Sequence, residues 1–360
     1  MQLKLKQVYC MALLGLLLSA LQIVAGLYES KATLYQSESL QEFIKFVEKH
    51  NKRYLTNQEL YARFTRFKNN RQVVDELNSR VPKGDTANYG VTVFSDSTTD
   101  EFVKRLNFMD DILADERLTL KEDFYIDPID PPVSVNETLS TDKLPLEIDW
   151  TEQAIVSPVK DQTTCSSCAV FASIETIESA WALKNGKLYT LAIQENLDCG
   201  PTNPCVAGSS YNYNYILLIH LGGIPMNTTY KYTSTRSDCK LDKISSSDRL
   251  VSISNYWLVN YPTDGYMMSV VSKFGPVGLA INANTLQFYE SGIIDSEVTG
   301  CSEMVNHAVL LVGYGETEDR IKFWKLKNTW GEKWGEKGYF RLIRGKNACG
   351  INRLMSGPYI

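Results

Sequence analysis

At 360 residues, with 44% hydrophobic and 11% aromatic content, the chain has ample material for one large core or two ordinary ones, which excludes a disordered protein. A formal net charge of −5 and the absence of any Lys/Arg run argue against polyanion partners, so nucleic acid and anionic membrane surfaces are set aside.

The first 26 residues carry Lys4 and Lys6, an apolar run from Val8 to Leu21, and small residues at Ala25 and Gly26. This pattern predicts a secretory signal peptide, residues 1–26, cleaved near Gly26. An uncleaved anchor is the competing reading, because Val8 to Ala25 approaches the length of a membrane span; Gln22 and the small residues after it favour cleavage. No other stretch could span a bilayer, so the mature protein is expected to be soluble, in an oxidising compartment or an organelle reached through one. Cys10 leaves with the signal, and the seven cysteines that remain (165, 168, 199, 205, 239, 301 and 349) are an odd number.

Two helices are predicted next, Ser39 to Lys52 and Glu59 to Arg80; in the second, Leu60, Phe64, Phe67, Val74 and Leu77 share one stripe. Asp110 to Lys143 is acidic, with Ser/Thr-rich flanks and the run Asp127-Pro-Ile-Asp-Pro-Pro132, and is predicted to be a solvated linker. It holds the glycosylation sequon Asn136-Glu-Thr138, and a second sequon is Asn227-Thr-Thr229. From Leu144 onward a helix is expected from Cys168 to about Lys184, and a Tyr-rich one from about Tyr211 to Leu221, closed by Gly222-Gly223. Beyond Val251 the pattern turns to strands: Val277 to Ala283, Ala308 to Tyr314, Phe323 to Lys327 and Gly338 to Ile343. Helices first and strands later predict an α+β protein of two halves with a groove between them.

Cys168, in Gln162-Thr-Thr-Cys165-Ser-Ser-Cys168, stands at a predicted helix start, where the N-terminal dipole and a nearby imidazolium lower a thiol's pKa. Of three histidines, His50 precedes the linker, and His220, in an apolar helix end, reads as a satisfied structural residue. His307, entering the apolar run Ala308 to Gly315, is left as base towards Cys168 and acid towards a leaving amine. Asn328, after a strand and two residues before Trp330, could orient that imidazole while the indole keeps water away. A turn residue is the plainer reading of this Asn.

These residues in their settings closely resemble the papain family of cysteine peptidases, specifically the cathepsin L-like preproenzymes. The likeness rests on Gln162 with Cys165-Ser-Ser-Cys168, on Val305-Asn306-His307-Ala308-Val309, and on the stretch from Lys327-Asn328-Thr-Trp330 to Asn347-Ala-Cys349-Gly350. Glu59, Arg63, Phe67, Asn70, Val74 and Asn78 follow the propeptide spacing E-x3-R-x3-F-x2-N-x3-I-x3-N, with Val for Ile; Gly90, Phe94 and Asp96 fit G-x-N-x-F-x-D, with Thr92 for Asn.

The resemblance implies a two-lobed fold, a helical left lobe and a β-barrel-like right lobe, behind an inhibitory helical propeptide domain at 27–110. A linker to the cleavage site at 111–143 and a peptidase domain at 144–360 would follow, opening with Leu144-Pro145 and Asp149-Trp150. It implies bridges Cys165 to Cys205, Cys199 to Cys239 and Cys301 to Cys349, with Cys168 free. It further implies a thioester mechanism with Cys168, His307 and Asn328 and an oxyanion held by Gln162 and the Cys168 N–H, without cofactor or metal. Gly208 and Asn306 would line the groove, and Ser209, Ser210, Ala280, Val305, Ala308 and Leu354 would form an apolar pocket for the second residue before the scissile bond. No insertion blocks the groove, so an endopeptidase is expected. Expected partners are protein or peptide substrates, the chain's own propeptide and cystatin-type inhibitors, acting on a monomer in the lysosome or the extracellular space.

Four positions depart from the family pattern. Ser166 and Ala169 replace Gly and Trp, Val206-Ala207 replaces Asn-Gly, and a positive φ at Ala207 would be strained. They motivate an alternative, a secreted homologue with weak or no peptidase activity that acts by binding. A third reading takes Cys165 and Cys168 as a thioredoxin-like redox pair, which lacks its usual βαβ setting here.

Overall fold

The computed structural model describes residues 30–82, 84, 86–110, 126–134 and 144–360, and the chain divides into two compact units, Met1–Lys68 and Asn69–Ile360. The predicted signal peptide, the sequon at Asn136 and most of the predicted linker lie outside the described residues. In the first unit, helix α1 (Ser30–Lys49) and the start of α2 (Asn57–Arg80) form an aromatic cluster. The Phe67 ring lies 5.4 Å from Phe43 and 5.1 Å from Phe46, because residues three or four apart share a helix face.

The second unit opens with β1 (Asn88–Tyr89) and the short α3 (Thr99–Val103), which starts with a capping box between Thr98 and Glu101. After β2 (Ile148–Asp149) come α4 (Cys168–Asn185), α5 (Gln194–Cys199), α6 (Pro204–Ala207) and α7 (Tyr211–His220). Then follow β3 (Ile224–Pro225), β4 (Arg249–Val251), β5 (Asn255–Asn260), α8 (Asp264–Phe274), β6 (Val277–Ile281), β7 (Tyr289–Ser291), β8 (Ile293–Ile294) and α9 (Ser296–Thr299). The chain closes with β9 (His307–Glu316), β10 (Lys322–Lys327), β11 (Tyr339–Ile343) and β12 (Leu354–Tyr359). The main sheet runs β5-β12-β6-β9-β10-β11-β8, and β2 pairs with β9.

Two cores lie side by side. One gathers Leu279, Val309, Leu311, Trp324 and Phe340 from the sheet with Val271 of α8; the other gathers Val170, Ile174 and Ile177 of α4 with Leu197 and Ile216. Every residue of α4 from Cys168 to Ser179 is buried, as suits a helix with little charge on any face. Strand β9 is buried from His307 to Gly315, which its unbroken apolar run already suggested.

Helix α8, capped by the Thr263 side chain, was not among the predicted elements; it lies in the stretch beyond Val251 whose pattern reads as strands, and it buries Met267, Val270 and Val271. His220 is the exposed last residue of α7, while the helix register turns Leu217 and Leu218 inward. Part of the linker is docked rather than solvated, since Val133 is buried in the sheet core. Bridges join Cys165 to Cys205, Cys199 to Cys239 and Cys301 to Cys349, and Cys168 is free, which removes the redox-pair reading.

Candidate active site

Cys168 is the first residue of α4, and the preceding Ser167 makes no side-chain cap, so the helix's leading N–H groups are not consumed by one. His307 is the first residue of β9, paired with Ile281, while Ala308 pairs with Ala280. The backbone N–H groups of Ala308, Ala169 and Cys168 reach the Cys168 sulfur, so thiol and histidine strand meet at the lobe boundary.

Asn328, immediately after β10, holds the ring. Its Oδ1 lies 2.9 Å from His307 Nε2 and also accepts the Thr329 N–H at 2.8 Å. Only a carbonyl oxygen can take the Thr329 N–H, so the amide orientation follows, and with it the tautomer: Nε2 carries the proton and Nδ1 is left as the base. The Trp330 ring covers the imidazole at 4.8 Å, and Trp330 is itself packed edge-on by Phe94, Phe102 and Trp334. Gln162 is fixed from both ends: its Oε1 accepts from Thr329 Oγ1 at 2.6 Å, and its Nε2 donates to Cys165 O at 2.9 Å and to Arg105 O at 3.1 Å.

The segment from Lys104 to Met109 runs along the sites expected for substrate. Ser166 Oγ donates to Lys104 O at 2.6 Å, and Asn107 Nδ2 to Val206 O at 2.9 Å. The Asn107 carbonyl presses on Gly208, where a Cβ would come within 1.9 Å, so this position excludes any side chain. Phe108 N donates to Asn306 O and Met109 N to Ser209 O, each at 3.0 Å. The Phe108 ring lies 5.5 Å from Tyr211 and shares a core with Ala280, Ala308 and Leu354, against which Val305 packs.

A family model described as papain family cysteine protease matches residues 144–359, and one described as cathepsin propeptide inhibitor domain (I29) matches residues 43–102. The chain belongs to the papain family of cysteine proteases. Cysteine proteinase 15A of Pisum sativum is 35% identical over 329 residues, 87% of this chain and 85% of that one. Probable cysteine protease RD19B of Arabidopsis thaliana is 33% identical over 346 residues, 91% of this chain and 88% of that one. Among solved structures, a recombinant stem bromelain precursor superposes with a TM-score of 0.75 at 28% identity, covering 90% of this chain and 99% of its own. Digestive procathepsin L 3 of Tenebrio molitor larval midgut gives 0.74 at 28% identity, covering 91% and 99%. This is therefore a cathepsin L-like papain-family preproenzyme, a cysteine peptidase carrying its own inhibitor domain.

The departures from the family pattern are absorbed locally. Val206 and Ala207 belong to the short helix α6 and neither has a positive φ, so no strain resides there; the left-handed geometry falls on Gly208, at φ 75. Ala169 is buried in the helical core. Ser166 uses its hydroxyl on the proregion backbone. Ser210, expected in the apolar pocket, spends its hydroxyl capping α7 through Tyr213 N, and Ser209 Oγ takes the Asn214 amide. Tyr211, which packs against Phe108 in the same core, was not among the residues expected there; its position directly after Ser209-Ser210 was the available signal.

Burial pushes the Cys168 thiol up to about 11, more than the three N–H groups around the sulfur recover. Burial likewise pulls His307 down to about 4 against the Asn328 hydrogen bond, and His307 Nδ1 has no hydrogen-bond partner among the described residues. Two turns along α4 the balance differs. Glu175 lies 2.8 Å from Lys327 Nζ and 3.2 Å from Lys160 Nζ, and Glu178 lies 2.6 Å from Lys160 Nζ. Burial alone would lower Lys160, but the two carboxylates hold its ammonium above the ordinary lysine value; at Lys327 burial prevails. Lys327 immediately precedes Asn328, so this network fixes the backbone that aims the histidine's partner.

Proposed function

We propose that this chain is the precursor of a cysteine endopeptidase acting through Cys168, His307 and Asn328. The observation that carries the reading is the Asn328 carbonyl shared by His307 Nε2 and Thr329 N, which leaves Nδ1 as the free base of the buried ring. In the opened enzyme His307 Nδ1 takes the thiol proton, and the sulfur attacks the scissile carbonyl. The oxyanion is held by Gln162 Nε2 and the Cys168 N–H; loss of one such donor costs about 10²–10³ in rate. The imidazolium then protonates the departing amine, and water, deprotonated by the same ring, releases the acyl group and restores the thiol.

In the precursor, Gln162 Nε2 is spent on the Arg105 carbonyl, which supports Lys104 to Met109 as the inhibitory stretch. An apolar residue is the preferred partner of the pocket formed by Tyr211, Ala280, Val305, Ala308 and Leu354, the cluster that Phe108 joins. The proposed boundaries are a signal at 1–26, an inhibitory domain at 27–110, a linker at 111–143 and a peptidase from 144. Three disulfides support passage through an oxidising compartment, with the lysosome or the extracellular space as destination. Asn227 is the proposed glycan acceptor among the described residues: it sits in a turn with Thr228 and Thr229 exposed. Acid processing followed by labelling with a thiol-directed epoxide tests the reading. Cys168 should carry the label and peptide hydrolysis should cease in proportion, whereas a processed enzyme that hydrolyses peptides with Cys168 unlabelled would overturn it.

A further inference from the structure

Within the second unit, residues 126–134 run along β5: Ile126 packs against the cluster that holds Phe108, and the hydrogen bonds of Ile126, Ile129, Asp130 and Val133 go to Tyr256, Tyr359 and Tyr266. Strand β5 is an edge of the main sheet, bonded on one side to β12. Exposed edges pair readily with other chains unless covered. Here Ile129 N donates to Tyr256 O at 3.0 Å, while Pro128, Pro131 and Pro132 have no N–H to offer. A segment so rich in proline cannot complete a strand ladder and is held through its carbonyls instead. Tyr256 Oη donates to Ile126 O at 2.7 Å, Tyr359 Oη to Asp130 O at 2.6 Å and Tyr266 Oη to Val133 O at 3.0 Å. Val133 is the anchor, 5% exposed within the cluster that contains Trp257, Tyr266 and Val277.

A cleft of about 320 Å³ continues beside Pro132, lined also by Lys184, Trp257, Lys273, Phe274 and Tyr359. Aromatic walls with hydroxyl donors are how extended proline-rich backbone is recognised. Lys184 and Lys273 make that cleft basic, and the segment itself carries two exposed carboxylates, Asp127 and Asp130.

We infer that the face built from β5, Tyr266 and Tyr359 is a separate docking site for an extended, proline-punctuated acidic peptide, filled in the precursor by residues 126–134. Its release on maturation rests on the proposed peptidase function; the site itself does not. Once vacated, it takes a segment of the same chemistry from a protein substrate, away from the scissile bond.

The test uses the full chain with Cys168→Ala, so that no processing occurs, and with residues 126–134 replaced by nine Gly/Ser residues. A fluorescein-labelled peptide with the sequence of residues 126–134 is titrated by anisotropy. Saturable binding is expected, at least about tenfold tighter than to the chain that keeps its own segment. Tyr266→Phe with Tyr359→Phe should weaken it by about fivefold or more, two hydrogen bonds being lost. A peptide with its three prolines changed to Ala should also bind more weakly. Equal uptake by both chains, or none by a replaced chain with intact near-UV circular dichroism, overturns the proposal. Should the replaced chain not fold, Val133→Asp, which expels only the anchor, carries the same comparison. No step of the assay involves turnover, so its failure would leave the peptidase reading standing.

Discussion

Cys168 and Glu175 lie seven residues apart on one buried helix, and both face residues at the ends of neighbouring strands, yet their electrostatics are opposite. Around Glu175 two ammonium groups, of Lys327 and Lys160, hold one carboxylate oxygen in the dry interior, while the other, Oε2, has no hydrogen-bond partner among the described residues. Around Cys168 and His307 no opposite charge is supplied among the described residues, so burial keeps the thiol neutral up to about 11 and the ring neutral down to about 4. Burial sustains ions where partners are built in and suppresses them where they are not. On the proposed mechanism, the thiol is thus kept neutral by coverage while Asn328 already holds the His307 ring.

The largest effect should come from removing the suppressed partner. Cys168→Ala in the processed enzyme should lower kcat by on the order of 10⁶, as loss of a protease nucleophile does, with folding retained. A single-turnover assay beside a thermal melt reads both. Next comes the charge-paired end. Glu175→Ala strands Lys327 as a buried, incompletely paired cation and should cost about 3–5 kcal/mol in a denaturant melt. A loss below about 1 kcal/mol would show that the network is not the contrast drawn above.

The pH dependence tests the unsatisfied end. The His307 pKa is depressed in the covered precursor, so this form binds fewer protons than the opened one. Its closure is fully supported above the ordinary histidine pKa and is lost as pH falls towards the covered value of about 4. The full span is worth roughly 3 kcal/mol. Amide exchange of residues 166–171 in the Cys168→Ala chain should therefore quicken on acidification, after correction for intrinsic rates. His307→Gln should lose that dependence. The smallest effect belongs to Ser166→Gly: loss of the hydroxyl's bond to Lys104 O should weaken inhibition by an added prosegment peptide by about two- to tenfold. No change would mean that this departure from the family pattern contributes nothing to coverage.

Much of the covered site was legible from local signals. The odd cysteine at a helix start, a histidine entering an apolar run, and an asparagine and tryptophan after a strand each announce themselves within a few residues. What those windows could not convey is the company each residue keeps. Glu175 reads as an ordinary helix glutamate until Lys327, 152 residues away, is brought against it. Tyr211 reads as one tyrosine among many until Phe108 lies beside it. Val206-Ala207 suggested strain because the family pattern has glycine there, and only the backbone of α6 put both residues at negative φ.

By itself, then, the amino-acid order determined the helix and strand periods, the identity of the odd thiol and the proregion spacing, because these depend on repeats of two to four residues and on side-chain chemistry. Tertiary structure decided which groups are covered, which charges are paired, and where residues 126–134 rest. Those outcomes depend on contacts between segments far apart in the chain, and on how much water each contact excludes.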